Sequence, residues 1–172
     1  KTMNTKFVYV VGSNVDKSLS PLIFNHWFKK YKIKAQYGFI NIKTNNLSKT
    51  IKKTLKEKNV VGINVTIPFK EKVIKNINIM DRPSKIIGAV NCITPKKNKY
   101  YGANTDWLGF GDALQKKQKI STKDKVLIIG YGGAAKAILY FFLKKHNKKT
   151  FVFNRTSEKI NLLNHHQKKT LP

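Results

Sequence analysis

The chain has 172 residues, with 35 Lys or Arg against 8 Asp or Glu, a formal net charge of +27, and it is 41% hydrophobic and 11% aromatic. That apolar content supports a buried core and excludes the profile of a disordered chain, while the length allows one domain, or one domain and part of another, and excludes a large multidomain enzyme. The single cysteine, Cys92, excludes an intrachain disulfide or a cysteine-based metal site, and no run approaches the roughly 18 apolar residues of a membrane span, so the expectation is a reducing cytoplasm with no metal and no membrane.

Lys6 to Val11, β-branched and aromatic, predicts a strand; the apolar run is too short for a secretion signal and ends at Gly12 in a polar loop to Leu19. Ser20-Pro21 then opens a helix, with Ser20 as N-cap, Pro21 at the first helical position, and Leu22, Ile23, Trp27, Phe28 and Tyr31 as its apolar side. Gln36 to Ile42 is a second strand. Leu47, Ile51 and Leu55 recur at helical spacing and predict an amphipathic helix with a lysine-rich outer face. Val60 to Ile67 is a third strand, followed from Pro68 by a short helix to about Asn76. This βαβαβα alternation favours an α/β fold with a parallel sheet and helices on both faces.

Val90 to Thr94 and Tyr100 to Ala103 flank Lys96-Lys97-Asn98 and predict a β-hairpin. Thr105 starts a helix to about Gln118. After a polar stretch a second α/β unit begins: strand Lys125 to Ile129, glycine turn Gly130 to Gly133, apolar helix Ala134 to Lys145, and strand Thr150 to Phe153.

The positive charge invites a nucleic-acid reading, because phosphate backbones attract any basic surface. All the basic residues except Arg82 and Arg155 are lysines, however, and specific phosphate and base readout leans on the planar arginine fork. The lysines are spread along the whole chain beside abundant Asn and Ile. This is a drift of composition, so no specific nucleic-acid partner is expected, although acidic small molecules are still drawn to such a surface.

The strongest local signal is Gly130-Tyr131-Gly132-Gly133-Ala134 between a strand and a helix. Glycines let a backbone approach a pyrophosphate, which then rests on the positive end of the helix; the same pattern also serves as a plain turn. Asn154-Arg155-Thr156 ends the next strand, where a carboxylate would take a ribose 2′-hydroxyl. The neutral and positive donors of Asn154 and Arg155 suit a 2′-phosphate and point to NADP rather than NAD. Ser18 and Ser20 lie in the loop after the first strand, where ligands meet parallel sheets, with a plain N-cap as the competing reading of Ser20. Asn64 and Thr66 alternate on one face at the end of the third strand, and Lys70 follows as either a solvated lysine or a catalyst. Asp106 is a scarce carboxylate at a helix start, a place the helix dipole alone favours. His26, His146, His165 and His166 have no partner at metal-ligand spacing, and the Met and aromatic residues read as packing.

Taken in order, six motifs resemble those of the shikimate dehydrogenase family: Ser18-x-Ser20-Pro21 with Asn25, Gly62-x-Asn64-Val65-Thr66-x-Pro68-x-Lys70, Gly88-Ala89-Val90-Asn91, Gly102-x-Asn104-Thr105-Asp106-x-x-Gly109, Gly130-x-Gly132-Gly133-Ala134, and Asn154-Arg155-Thr156. The resemblance implies a substrate-binding α/β domain over residues 1–103, with a mostly parallel sheet. After it comes the first half of a Rossmann-type NADP-binding domain, over residues 104–172. It implies the NADPH-dependent, reversible reduction of 3-dehydroshikimate to shikimate, a step of aromatic amino-acid biosynthesis. By the same resemblance Ser18 and Ser20, with Thr66 nearby, would bind the shikimate carboxylate, and Asn64, Asn91 and Asp106 would bond ring hydroxyls. Lys70 and Asp106 would form the catalytic pair, with Lys70 moving the proton at the reacting oxygen and Asp106 orienting it. Gly130, Tyr131, Gly132, Gly133, Ala134, Asn154, Arg155 and Thr156 would hold NADP.

Asn14 and Lys17 stand where the family usually has Pro and His. Family members also continue well past the position of Pro172, completing the dinucleotide sheet. The expectation for this chain alone is therefore weak shikimate binding without hydride transfer, as a monomer or homodimer. A relative that also accepts quinate, or a non-catalytic shikimate-binding remnant, are the alternative readings.

Overall fold

Runs rich in β-branched and aromatic residues form three parallel strands, β1 (Lys6–Gly12), β2 (Ala35–Asn41) and β3 (Val60–Val65), in the computed structural model, which describes residues 4–117, 120–121, 123–145 and 149–156. His146, His165 and His166 lie outside the described residues. The chain forms two compact units: residues up to Asp81 with Val90–Ala103, and Arg82–Ala89 with the residues from Asn104 onward.

In the first unit the six-stranded sheet runs β2-β1-β3-β5-β6-β4, with β4 at Ile79–Met80, β5 at Cys92–Lys96 and β6 at Lys99–Ala103. The chain leaves β1 for β2 on one side and returns to β3 on the other. Right-handed connections then put the helices that follow β1 and β2 on opposite faces. The packing agrees: Val8, Val10 and Tyr37 meet Phe24 and Phe28 of α1 (Ser20–Lys30). On the other face Val11, Ile63 and Val65 meet Leu47, Ile51 and Leu55 of α2 (Leu47–Lys56). Each such aliphatic side chain, taken fully from water, contributes about 1.5–3 kcal/mol. Reversal of direction at β1 makes a topological switch point between β1 and β3, and the crevice outside their carboxyl ends is where open α/β sheets bind ligands.

β5 and β6 form the antiparallel hairpin that the sequence predicts, closed by Lys97 and Asn98 with φ of 48° and 60°. Positive φ at both turn residues matches the twist of a two-residue hairpin. The third strand stops at Val65 instead of Ile67, and no helix starts at Pro68. Instead Thr66 N donates to Val11 O at 2.9 Å and Phe69 N to Thr66 O at 2.9 Å, a turn that drops the fully buried Phe69 into the core before a 3-10 turn at Lys72–Asn76. The Ile67–Pro68 peptide within it is cis.

The second unit holds α3 (Arg82–Ile87), α4 (Asp106–Lys117), β7 (Val126–Ile129), α5 (Gly133–Lys144) and β8 (Thr150–Phe153). β7 and β8 pair in parallel from Val126↔Thr150 to Ile129↔Phe153, so β7-α5-β8 is one crossover unit of the dinucleotide-binding type. Ile128, Leu139, Phe141 and Phe142 form its core with Phe110, Leu114 and Val152, while Leu127, Ile129, Phe151 and Phe153 are exposed. A second cluster packs Ile87 and Ala89 against Ala137, Tyr140 and Trp107.

The two glycines of α4 differ in surroundings. A Cβ on Gly111 would run into the Phe141 ring, so this glycine sets how closely α4 and α5 approach; a Cβ on Gly109 meets nothing within 4 Å. Gly111→Ala should destabilise the second unit by about 1–3 kcal/mol through overpacking. Gly109→Ala should stabilise it by up to about 1 kcal/mol through helix propensity. Urea denaturation followed by circular dichroism checks the pair, and shifts of the midpoint in the same direction would remove the packing role assigned to Gly111.

Candidate functional site

Gly12 ends β1 where two segments converge. A Cβ there would stand 2.5 Å from Thr66 Cγ2 and 2.7 Å from Val15 Cγ1, so only glycine lets the loops after β1 and β3 lie together across the strand end. Ser13 N donates to Ile67 O at 3.1 Å and joins those loops directly. The loop after β1 is held on its other side by Asn41, whose Oδ1 accepts from Val15 N at 2.6 Å. Asn14 takes the left-handed conformation, φ 56°, that its short polar side chain tolerates better than most.

Ser20 is not the N-cap. It is the first helical residue of α1, Leu19 occupies the cap position, and no side chain bonds there as a cap. Ser18, just before the cap position, accepts from Ser20 N at 3.2 Å through its Oγ and so satisfies the first amide of the helix. Accepting that bond leaves the Ser18 hydroxyl hydrogen available as a donor. The Ser20 side chain lies near the phenol of Tyr37 and favours its ionised form.

Tyr37 is the residue that sequence reasoning read as packing and missed as part of the site. Its ring is buried and stacks on Phe24 with centroids 4.6 Å apart and planes 12° apart. Asn25 clamps its backbone from both sides, Nδ2 donating to Tyr37 O at 2.9 Å and Oδ1 accepting from Tyr37 N at 2.8 Å. From β2 the phenol reaches over β1 and donates to Asn64 Oδ1 on β3 at 2.7 Å. Asn64 Nδ2 in turn donates to Asn91 O at 3.3 Å. Burial, then the nearby Cys92 thiol, pushes the Tyr37 phenol from 10.0 up to about 12, against the opposing hydrogen bond from Ser20. Burial likewise pushes the Cys92 thiol up. A signal was available in the sequence: Tyr37 shares a strand face with the site, but an aromatic at a core period does not announce that its hydroxyl points at a polar neighbour.

The remaining first-unit candidates gather at the same end of the sheet. Asn91 is buried, donates its N–H to Ala103 O at 3.1 Å, and receives Val65 N at 2.8 Å on its carbonyl. Lys70 O accepts from Val90 N at 2.8 Å, so the Phe69 anchor and this bond fix the backbone from which the half-buried Lys70 side chain leaves. Thr66 is half-buried beside Gly12. Ser18, Ser20, Asn64, Thr66, Lys70 and Asn91 thus belong to one unit and one sheet end.

Asp106 and the dinucleotide motifs belong to the second unit. Asp106 starts α4, and its N–H donates to Asn104 Oδ1 at 3.1 Å while Asn104 Nδ2 donates to Ala89 O at 3.0 Å, so a fully buried asparagine fixes the helix start. Gly130 has φ 102°, a conformation suited to glycine, and its N–H donates to Phe153 O at 2.7 Å. That bond ties Gly130, Tyr131, Gly132, Gly133 and Ala134 to the end of β8, where Asn154, Arg155 and Thr156 follow. Asn154 Nδ2 donates to Thr156 O at 2.9 Å, so part of its amide holds the loop, and Arg155 is exposed. Tyr131 lies under the Lys136 ammonium, 5.0 Å from ring centre to Nζ. Among the described residues no group of three or more His, Cys, Asp or Glu could hold a metal ion, and no helix is long and apolar enough to cross a membrane.

Comparison with known proteins matches both units. The model of the shikimate dehydrogenase substrate-binding domain matches residues 10–93, and that of shikimate/quinate 5-dehydrogenase matches residues 112–171. The chain is 37% identical over 150 residues to the shikimate dehydrogenase (NADP(+)) of Clostridium beijerinckii, covering 87% of this chain and 55% of that protein. Among solved structures, the shikimate dehydrogenase of Aquifex aeolicus superposes with a TM-score of 0.87 at 36% identity, over 95% of this chain and 60% of that one. The Thermus thermophilus enzyme in complex with NADP(H) and shikimate gives 0.85 at 26% identity, over 94% and 60%. The chain spans little more than half the length of the curated relative it matches.

The raised phenol has a consequence for stability. An unfolded tyrosine ionises around 10.0 and Tyr37 in the fold only around 12, so between these values the native state holds the proton more tightly. Stability is then intact below pH 10.0 and declines as pH rises toward 12. Tyr37→Phe should flatten that part of the decline in urea midpoints measured across the interval; an unchanged slope would mean that Tyr37 titrates like an exposed phenol.

Proposed function

The chain belongs to the shikimate dehydrogenase family, and from that membership we propose that it carries the substrate-binding unit and the NADP phosphate-binding elements of an enzyme that reversibly reduces 3-dehydroshikimate to shikimate. The observation that carries the reading is the gathering of short-range donors, Ser18, Ser20, Thr66 and the Asn64 amide, at the switch-point crevice of the first unit. A small polyhydroxylated carboxylic acid is the ligand such a set suits. Ser18 gives its hydroxyl hydrogen to the carboxylate, the Ser20 hydroxyl turns to it from Tyr37, and Thr66 adds a third. The Asn64 and Asn91 amides bond ring hydroxyls.

Reduction of a ring ketone needs a hydride at carbon and a proton at oxygen. NADPH, when bound, supplies the hydride. Lys70 donates the proton to the carbonyl oxygen and takes it back in the reverse direction. Asp106, at the start of α4, is the proposed catalytic carboxylate. The second unit fits the cofactor: a positive-φ glycine precedes the N-terminus of the twelve-residue α5, and the exposed Arg155 follows the neighbouring strand. The glycine segment Gly130 to Ala134 would hold the pyrophosphate. Arg155, with Asn154 and Thr156, would hold the 2′-phosphate.

Two outcomes follow. In a version extended to the full length of its relatives, Lys70→Ala should lower the turnover number in an NADP-linked shikimate oxidation assay by about 10² to 10⁴. Shikimate affinity by calorimetry should change much less; collapse of affinity with turnover preserved at saturation would make Lys70 a binding residue. Arg155→Ala should weaken NADP by the equivalent of about 1.5–3 kcal/mol and leave NAD nearly unchanged. Equal losses for both cofactors in a fluorescence titration would make Arg155 structural.

A further inference from the structure

We propose that Tyr37 is a positioning residue that locks the Asn64 side chain so that it offers a ligand in the first-unit crevice an N–H donor. The inference rests on the substrate reading above and adds a residue to it. Orientation of an asparagine amide follows from its fixed neighbours, because its two ends differ only in what they can donate or accept. One neighbour of Asn64 is the carbonyl of Asn91, which already accepts from Val65 N at 2.8 Å and can donate nothing. The end of the amide facing it is therefore Nδ2. Oδ1 is then the end that faces the Tyr37 phenol at 2.7 Å, so the phenol donates. Its one hydrogen is spent there, so toward any other group the phenol can only accept.

Nothing in this chain of bonds has slack at the tyrosine. The ring is 2% exposed, stacked on Phe24, and its backbone is clamped on both sides by Asn25. The phenol stays protonated far above neutral pH, so the donor persists across the physiological range. Asn64 Nδ2 has a second hydrogen beyond the one given to Asn91 O, and with Oδ1 turned to Tyr37 this hydrogen is the donor that the amide offers a ligand. A ring hydroxyl meeting it must do so as an acceptor. Tyr37 also lies between the two sides of the proposed substrate site, near Ser20 on the carboxylate side and bonded to Asn64 on the hydroxyl side.

Tyr37→Phe tests the proposal in the full chain, because it keeps the stacked ring and removes only the donor. Shikimate affinity by calorimetry should fall about tenfold, the size of one hydrogen bond to a neutral group. Combined with Asn64→Ala, it should add nothing to the loss that Asn64→Ala causes alone, whereas additive losses would overturn the proposal. A second readout needs no ligand and no variant. In the unmodified chain, nuclear magnetic resonance should show a slowly exchanging Tyr37 hydroxyl proton with a cross-peak to the Asn64 side chain, and its absence would overturn the lock. Tyr37→Phe should also shift the two Asn64 amide proton resonances toward the values of a solvent-exposed asparagine; an unchanged pair would overturn the lock. If neither shikimate nor quinate binds the unmodified chain, the functional reading fails, and the hydroxyl and amide signals still decide whether the lock exists.

Discussion

A strand that gains parallel neighbours in opposite directions leaves a gap between its two outgoing loops, and in the first unit that strand is β1. The loop toward α1 and the loop after β3 meet over its end, which requires a residue without a side chain; Gly12 is that residue, with Thr66 and Val15 on either side of it. Ser13 N to Ile67 O then joins the loops, and Asn41 Oδ1 to Val15 N ties them to β2. Loops of this kind are ordinarily the mobile part of a fold. Here each is tied to a strand end by a named bond, so the serines and Lys70 start from a fixed backbone.

The same economy of strands and glycines appears in the second unit. Gly130 turns through φ 102° and its N–H is held by Phe153 O, which brings the helix N-terminus of α5 and the loop after β8 to one end of a parallel pair. In both units the strands supply position, a glycine removes the side chain that would obstruct, and polar groups are left on the loops. The chemistry differs with the donors placed there. Hydroxyls and amides in the first unit suit a neutral polyol with one carboxylate, and backbone N–H groups with Arg155 in the second suit phosphates.

Much of this was legible in the sequence wherever a period repeats. The alternation of β1 to β3, the spacing of Leu47, Ile51 and Leu55, and the β7-α5-β8 unit all appear as read, within a residue or two at their ends. Where a single contact overrides the period, the sequence was silent. The fully buried Phe69 pulled the chain out of strand two residues early; Ser20, expected as the N-cap, became the first helical residue, its amide held by Ser18. A two-residue β4 and a six-residue α3 beginning Arg82-Pro83 are too short to show any period. Tyr37 was hidden differently, since an inward aromatic on a strand is what packing alone would produce, and only its hydroxyl distinguishes it. The roles of the site residues came from the order of six short motifs, none of which is decisive by periodicity.

Charge and donor geometry divide the work of recognition by range. With 35 basic and 8 acidic residues the chain presents positive potential in most directions, but at physiological ionic strength that field decays over about 8 Å. It raises the local concentration of carboxylates and phosphates without distinguishing among them. Discrimination has to come from groups within hydrogen-bond reach, and in the first unit the candidates other than Lys70 are neutral: hydroxyls at Ser18, Ser20 and Thr66, amides at Asn64 and Asn91. Neutral donors cost less to desolvate than a guanidinium and hold their direction when their own neighbours are satisfied. That makes the satisfaction of those neighbours, by Asn25 at the Tyr37 backbone, by Tyr37 at Asn64, and by Asn91 at the far end of the amide, the step at which a generally basic surface becomes a site for one arrangement of oxygens.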